Sequence, residues 1–136
     1  MRRHARRLWA SGLLALTLGA GLVVHLLLPD SQITDIAGDA LYTVAVYLAV
    51  VIVAPRLAPL VVAAIALVWC LGVELFQLTG LPGEWAAAFP PIVLVFGTVF
   101  DARDLFVYAV TVALALGIDA VVTGRSRRLA GSGTIG

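Results

Sequence analysis

Residues 57–78 read LAPLVVAAIALVWCLGVELFQL, and only Glu74 and Gln77 break the apolar run. About 20 mostly apolar residues in a helix cross the hydrocarbon core of a bilayer, so this stretch decides the fold class. The composition agrees with it. In a chain of 136 residues, 62% are hydrophobic and 12% charged, whereas soluble domains run at roughly 45–50% and about 25%. So small a chain has too little polar surface to cover such a core in water. A soluble enzyme, a disordered chain and a basic nucleic-acid binder are excluded, and a polytopic membrane protein is indicated.

Working outward, Leu8–Leu28 is a second run, ended by Pro29-Asp30. Ala40–Ala54, extended back to residue 37, is a third and closes at Pro55-Arg56; Leu105–Val122 is a fourth, ahead of Gly124. Gly80-Leu81-Pro82-Gly83 reads as a turn. Ala86–Phe100 is apolar but only 15 residues long and contains Pro90-Pro91. That length suits a re-entrant or interfacial segment, and the prolines suit a helix start. The first run has arginines before it, as a signal peptide does. It is longer than the usual apolar region of about 7–15 residues, and no clean small-residue cleavage site follows.

All nine basic residues are arginine. Positive residues gather on the cytoplasmic side of spans. Four spans put eight of the nine inside: Arg2, Arg3, Arg6, Arg7, Arg56, Arg125, Arg127 and Arg128. A fifth span at 86–100 would move the last three out. The expected fold is an all-α, integral-membrane four-helix bundle in the inner (cytoplasmic) membrane. Both termini face in, with spans at about 8–28, 37–54, 57–79 and 104–122. A short apolar helix falls at 86–100, and residues 123–136 form a cytoplasmic arginine-rich tail.

In that topology seven of the eight acids face out, and only Asp119 lies toward the cytoplasm. Glu74 sits within a span, where an ionisable group normally faces the bundle interior or a wet cavity. Gln77 at i+3 shares its face, and Cys70 at i−4 continues it inward; a lone cysteine there is a small hydrophobe. Asp101 is placed to cap the fourth span, with Asp104 in its first turn. Arg103 is the one outward arginine, able to pair with Asp39 or Glu74 or to grip a phosphate. Tyr108 follows Asp104 at i+4. Asp39 and Tyr42 share a face at the start of the second span. Tyr47 and Trp69 read as packing residues, Trp9 and Trp85 as interfacial aromatics, and His25 as a lone polar side chain rather than a metal ligand. The candidate ligand-binding set is therefore Asp39, Tyr42, Glu74, Gln77, Asp101, Arg103, Asp104 and Tyr108, at one depth.

The blocks Gly38-Asp39-Ala40-Leu41-Tyr42 with Tyr47, Glu74-x-x-Gln77-Leu78, and Gly97-Thr98-x-Phe100-Asp101-x-Arg103-Asp104-Leu105 with Tyr108 carry a resemblance. Over about residues 10–122 the chain resembles domain-of-unknown-function family 2809, small bacterial membrane proteins. The Glu-x-x-Gln step and four-helix layout are also similar to VanZ-like membrane proteins, whose arginine, aspartate and asparagine pattern is absent here. The first resemblance implies a four-helix membrane protein and no activity; the second implies an envelope-linked role.

No hydrolase, P-loop, zinc or redox motif is present. The expected function is non-enzymatic: an outward polar pocket that binds a lipid-like envelope ligand or docks a membrane-protein partner. No cofactor, metal or nucleic acid is expected. Three alternatives stand beside it. One is a small proton-coupled transporter working as a homo-oligomer. Another is a membrane enzyme using Glu74 and Asp101 on a lipid-linked substrate. In the last, every polar residue is only cap or glue.

Overall fold

The computed structural model describes residues 3–132, with side chains described over 4–125. Arg2 and the last four residues lie outside the described residues, as do the side chains of Arg3, Arg127 and Arg128. Helices α1 (Arg3–Leu27), α2 (Gln32–Val53) and α3 (Pro59–Gln77) come first. The short α4 (Leu81–Ala88), a 3-10 turn (Pro90–Ile92) and the single-turn α5 (Val93–Phe96) follow, and α6 (Ala102–Ser132) completes the order.

Four of these helices are long and apolar enough to span: His4–Leu27, Gln32–Val53, Pro59–Gln77 and Ala102–Arg125. The shortest has 19 residues, or about 28 Å at ~1.5 Å per residue, close to the ~30 Å hydrocarbon thickness. Leu60, Val68, Phe106, Leu114 and Ile118 stand exposed along α3 and α6. Lipid is the surround that makes such a surface inexpensive.

The helix limits have local causes. Helix α2 starts at Gln32, five residues ahead of the position expected from apolarity. Ser31 caps it: its hydroxyl accepts from the Thr34 amide at 3.2 Å, and the Thr34 hydroxyl accepts from the Ser31 amide at 2.9 Å. This reciprocal box satisfies two amides that the helix start leaves free, so the polar stretch 32–39 is helical. Pro59 opens α3 as proline at a first turn does. Residues 86–100, expected as one short helix, divide at Phe89, where Pro90 and Pro91 cannot donate to the preceding turn. Helix α6 passes Gly124 and continues to Ser132, so the first part of the expected tail is helical.

Helix α2 is central and packs on α1, α3 and α6; α3 also packs on α6, while the backbone of α1 runs close to that of α2 alone. The apolar core occupies one half of the bundle, formed by Tyr47, Val51, Val62, Ala63, Ala66 and Val112 with Ala10. Alanine at 63 and 66 lets backbones approach, which is how membrane helices gain contact without a hydrophobic drive.

That half ends in a polar latch. The Arg6 guanidinium pairs with Asp119 Oδ2 at 2.6 Å, both side chains nearly buried. It also donates to the carbonyls of Pro55 at 2.9 Å and Leu57 at 2.8 Å. Tyr47 donates its hydroxyl to the same Asp119 oxygen at 2.9 Å. Arg7 donates to Ile52 O at 2.8 Å. The carbonyls freed where α2 ends thus meet arginines from α1, and Asp119 joins α6 to both. Removing one partner of a buried pair strands the other charge. Asp119→Leu and Arg6→Leu are each expected to lower stability by about 3–5 kcal/mol. Detergent-denaturant unfolding checks this, with the double variant losing less than the sum.

Candidate functional site

At the opposite, acidic end the framework is built on Glu74, which is fully buried. Its Oε1 accepts the Asp101 amide at 2.7 Å and its Oε2 accepts the Tyr108 hydroxyl at 3.1 Å. A carboxylate on α3 therefore fixes both the entry and the second turn of α6. Asp101 is the cap expected of it: Oδ1 accepts the Arg103 amide at 2.8 Å.

Tyr42 and Gln77 hold the short segment that crosses above them. The Tyr42 hydroxyl donates to Val95 O at 2.8 Å and accepts from Trp69 Nε1 at 2.9 Å. Gln77 Nε2 donates to Phe96 O at 2.8 Å. The last carbonyls of α5 are thereby satisfied from α2 and α3. Gly97 follows with φ 59° and ψ −160°, a region open essentially to glycine alone. A Cβ there would stand 2.6 Å from Gln77 Nε2. Phe76, Trp85 and Phe96 form a triangle with ring centroids 5.4–6.0 Å apart, which seats α4 and α5 on the end of α3.

Arg103 is ringed by carboxylates: Asp101 at 3.4 Å, Asp104 at 3.5 Å and Asp35 at 3.9 Å. These three, rather than the Asp39 or Glu74 suggested by the sequence, lie within 4 Å of it, while Asp39 still feels its charge. Asp39 instead meets Asp104, carboxyl to carboxyl within hydrogen-bonding reach.

Because the backbone of α1 runs close to that of α2 alone, the space between α1 and α6 at this end stays open. It is a cavity of about 580 Å³. Leu18, Gly21, Leu22 and His25 of α1 form one wall; Asp39 and Tyr42 of α2, residues 93–101, and Arg103, Asp104 and Tyr108 of α6 form the others. Seven of the eight sequence candidates line it: Asp39, Tyr42, Gln77, Asp101, Arg103, Asp104 and Tyr108. Glu74 lies behind the wall as its support. The shape is amphipathic, with aliphatic side chains along α1 and 93–95 and an acidic end. Among the described residues no three histidine, cysteine, aspartate or glutamate side chains are placed to hold a metal ion.

Sequence reasoning missed Trp69 as a hydrogen-bonding residue and Arg6, Tyr47 and Asp119 as a unit. The signals were there: an indole N–H within a span needs an acceptor, and a lone acid at the arginine-rich end needs a cation.

Residues 28–112 match the family model described as a protein of unknown function, DUF2809. The chain belongs to this family. The matched stretch holds all eight candidates and leaves α1 outside it. No curated protein and no solved structure matches, and no comparison shows the likeness to VanZ-like proteins.

Glu74→Leu leaves the Asp101 amide and the Tyr108 hydroxyl without an acceptor. A loss of about 1–3 kcal/mol for each stranded group is expected, with Glu74→Gln, which keeps one acceptor, losing less. Gly97→Ala is expected to cost about 1–3 kcal/mol through its backbone, whereas Gly38→Ala, with open space at its Cβ, costs nothing. Thermal unfolding of the purified variants reads all of these.

Proposed function

We propose that this family member is a non-enzymatic, membrane-embedded binding protein of the inner membrane. Its acidic end faces outward, and its cavity takes an amphipathic, lipid-like envelope ligand. The observation that carries the reading is the cavity itself: about 580 Å³, open between two spans, with an aliphatic wall and a polar end. Binding sites are characteristically concave and largely apolar, with a few placed polar groups. The orientation is read from the arginines: Arg6 and Arg7 open α1, Arg56 lies in the α2–α3 turn and Arg125 is near the end of the fourth span, all at the other end, and positive residues gather on the cytoplasmic side. A ligand whose chain lies along α1 and whose head reaches Asp39, Asp104 and Arg103 would use both parts.

Gly21 and Gly38 line the cavity, and a Cβ at either meets nothing within 4 Å. Gly21→Phe and Gly38→Leu therefore fill the space without displacing the framework. In native mass spectrometry of gently solubilised protein, the wild type is expected to carry a lipid-sized adduct. Both variants should lose it at an unchanged unfolding temperature. Equal adducts on all three proteins, or none on the wild type, would overturn the reading.

A further inference from the structure

Charge at the arginine end of the bundle is unbalanced. Asp119 is the one carboxylate at that end among the described residues. It is already matched, since Arg6 pairs with it at 2.6 Å and Tyr47 donates to the same oxygen. Arg7 is held by neutral carbonyls, Ile52 O at 2.8 Å and Val53 O at 3.4 Å, which leaves its charge uncancelled. Arg56 and Arg125 are exposed and make no hydrogen bond or ion pair among the described residues.

The fold holds these three cations at the membrane surface. Arg7 lies near the start of the first span, Arg56 in the turn at 54–58 between the second and third, and Arg125 at the end of the fourth. A turn that short cannot carry Arg56 beyond the headgroup layer. Trp9, two residues after Arg7, is exposed, and tryptophan is enriched at that layer. Arg6 binds the carbonyls on either side of Arg56 as well as Asp119, so α1, the turn and α6 are fixed together. A soluble acidic partner would have to reach these groups through the lipid heads, whereas lipid phosphates already stand at their depth.

We propose that the arginine end is a docking surface for anionic phospholipids, with Arg7, Arg56 and Arg125 facing their phosphates. A guanidinium forks onto phosphate oxygens. A zwitterionic lipid brings a cation beside its phosphate, which the surplus arginines repel, so a net negative head is favoured. The surface lies at the opposite end from the cavity and does not depend on it.

Trp9 is a native reporter for the test. Full-length protein is placed in phosphatidylcholine vesicles in which a minor share of the lipid is replaced by acyl-brominated phosphatidylglycerol or acyl-brominated phosphatidylcholine. Bromine quenches a tryptophan that it touches. The difference between wild type and Trp9→Phe isolates Trp9; the remaining signal comes from Trp69 and Trp85 at the acidic end. Trp9 is expected to be quenched more by the glycerol lipid than by the choline lipid, and the other two equally by both. High salt should remove most of the preference. Arg56→Gln and Arg125→Gln should each weaken association of the glycerol lipid by about fivefold, the worth of one arginine near an anionic surface. Arg56→Lys and Arg125→Lys should retain it. Equal quenching of Trp9 by the two lipids overturns the proposal, as does a preference seen only in the Trp9→Phe protein, which would move the anionic lipid to the acidic end. A preference that survives both glutamine variants, or is lost equally in the lysine ones, also overturns it.

Discussion

The open end of this molecule depends on one buried carboxylate. Glu74, in the last turn of α3, accepts the amide at the entry to α6 and the Tyr108 hydroxyl about two turns further along. In a bilayer such a group has no water to turn to, so its two oxygens must be met by protein. Meeting them fixes where α6 begins relative to α3. The chain between Leu81 and Phe100 must then travel across the bundle end, and Tyr42, Gln77 and the aromatic triangle hold it there. The cap at Asp101, the carboxylates around Arg103 and the Asp39–Asp104 contact all inherit their positions from that joint.

The two ends of the bundle contrast. At the arginine end, Arg6 ties α1 to Asp119 of α6 and to the α2–α3 turn. At the acidic end α1 reaches neither α3 nor α6 through backbone packing, and the gap is the cavity. A ligand proposed for that gap would enter beside α1, the helix with the fewest neighbours. Family membership covers α2 through the start of α6, which includes every candidate head-binding residue, while α1 supplies the aliphatic wall.

Much of this was legible in the sequence. Run length and arginine placement gave the spans, because bilayer thickness imposes a length that composition reveals. The eight polar candidates were found by asking which side chains a helix would not leave in lipid, and the structure gathers them at one end. What sequence could not supply was partnership. Arg103 looked equally able to pair with Asp39 or Glu74, yet helix rotation gives it Asp35, Asp101 and Asp104. Glu74 read as the centre of a pocket, and the structure puts it behind the pocket wall, since its acceptors are used by Asp101 and Tyr108. The early start of α2 was hidden by polar residues at 32–39, whose helicity comes from a capping pair rather than from apolar periodicity. Arg6 was read as a topology signal alone because its partner lies more than a hundred residues away.

The most direct test of the account is photo-cross-linking in the native membrane. A photoreactive residue placed at Leu22, which lines the cavity, is compared with one at Leu114, which is exposed on α6. Position 22 is expected to capture one lipid class enriched well beyond its share of the membrane, while position 114 captures lipids in bilayer proportion. Identical lipid mixtures at the two positions would contradict it, reducing the cavity to a gap filled by ordinary bilayer.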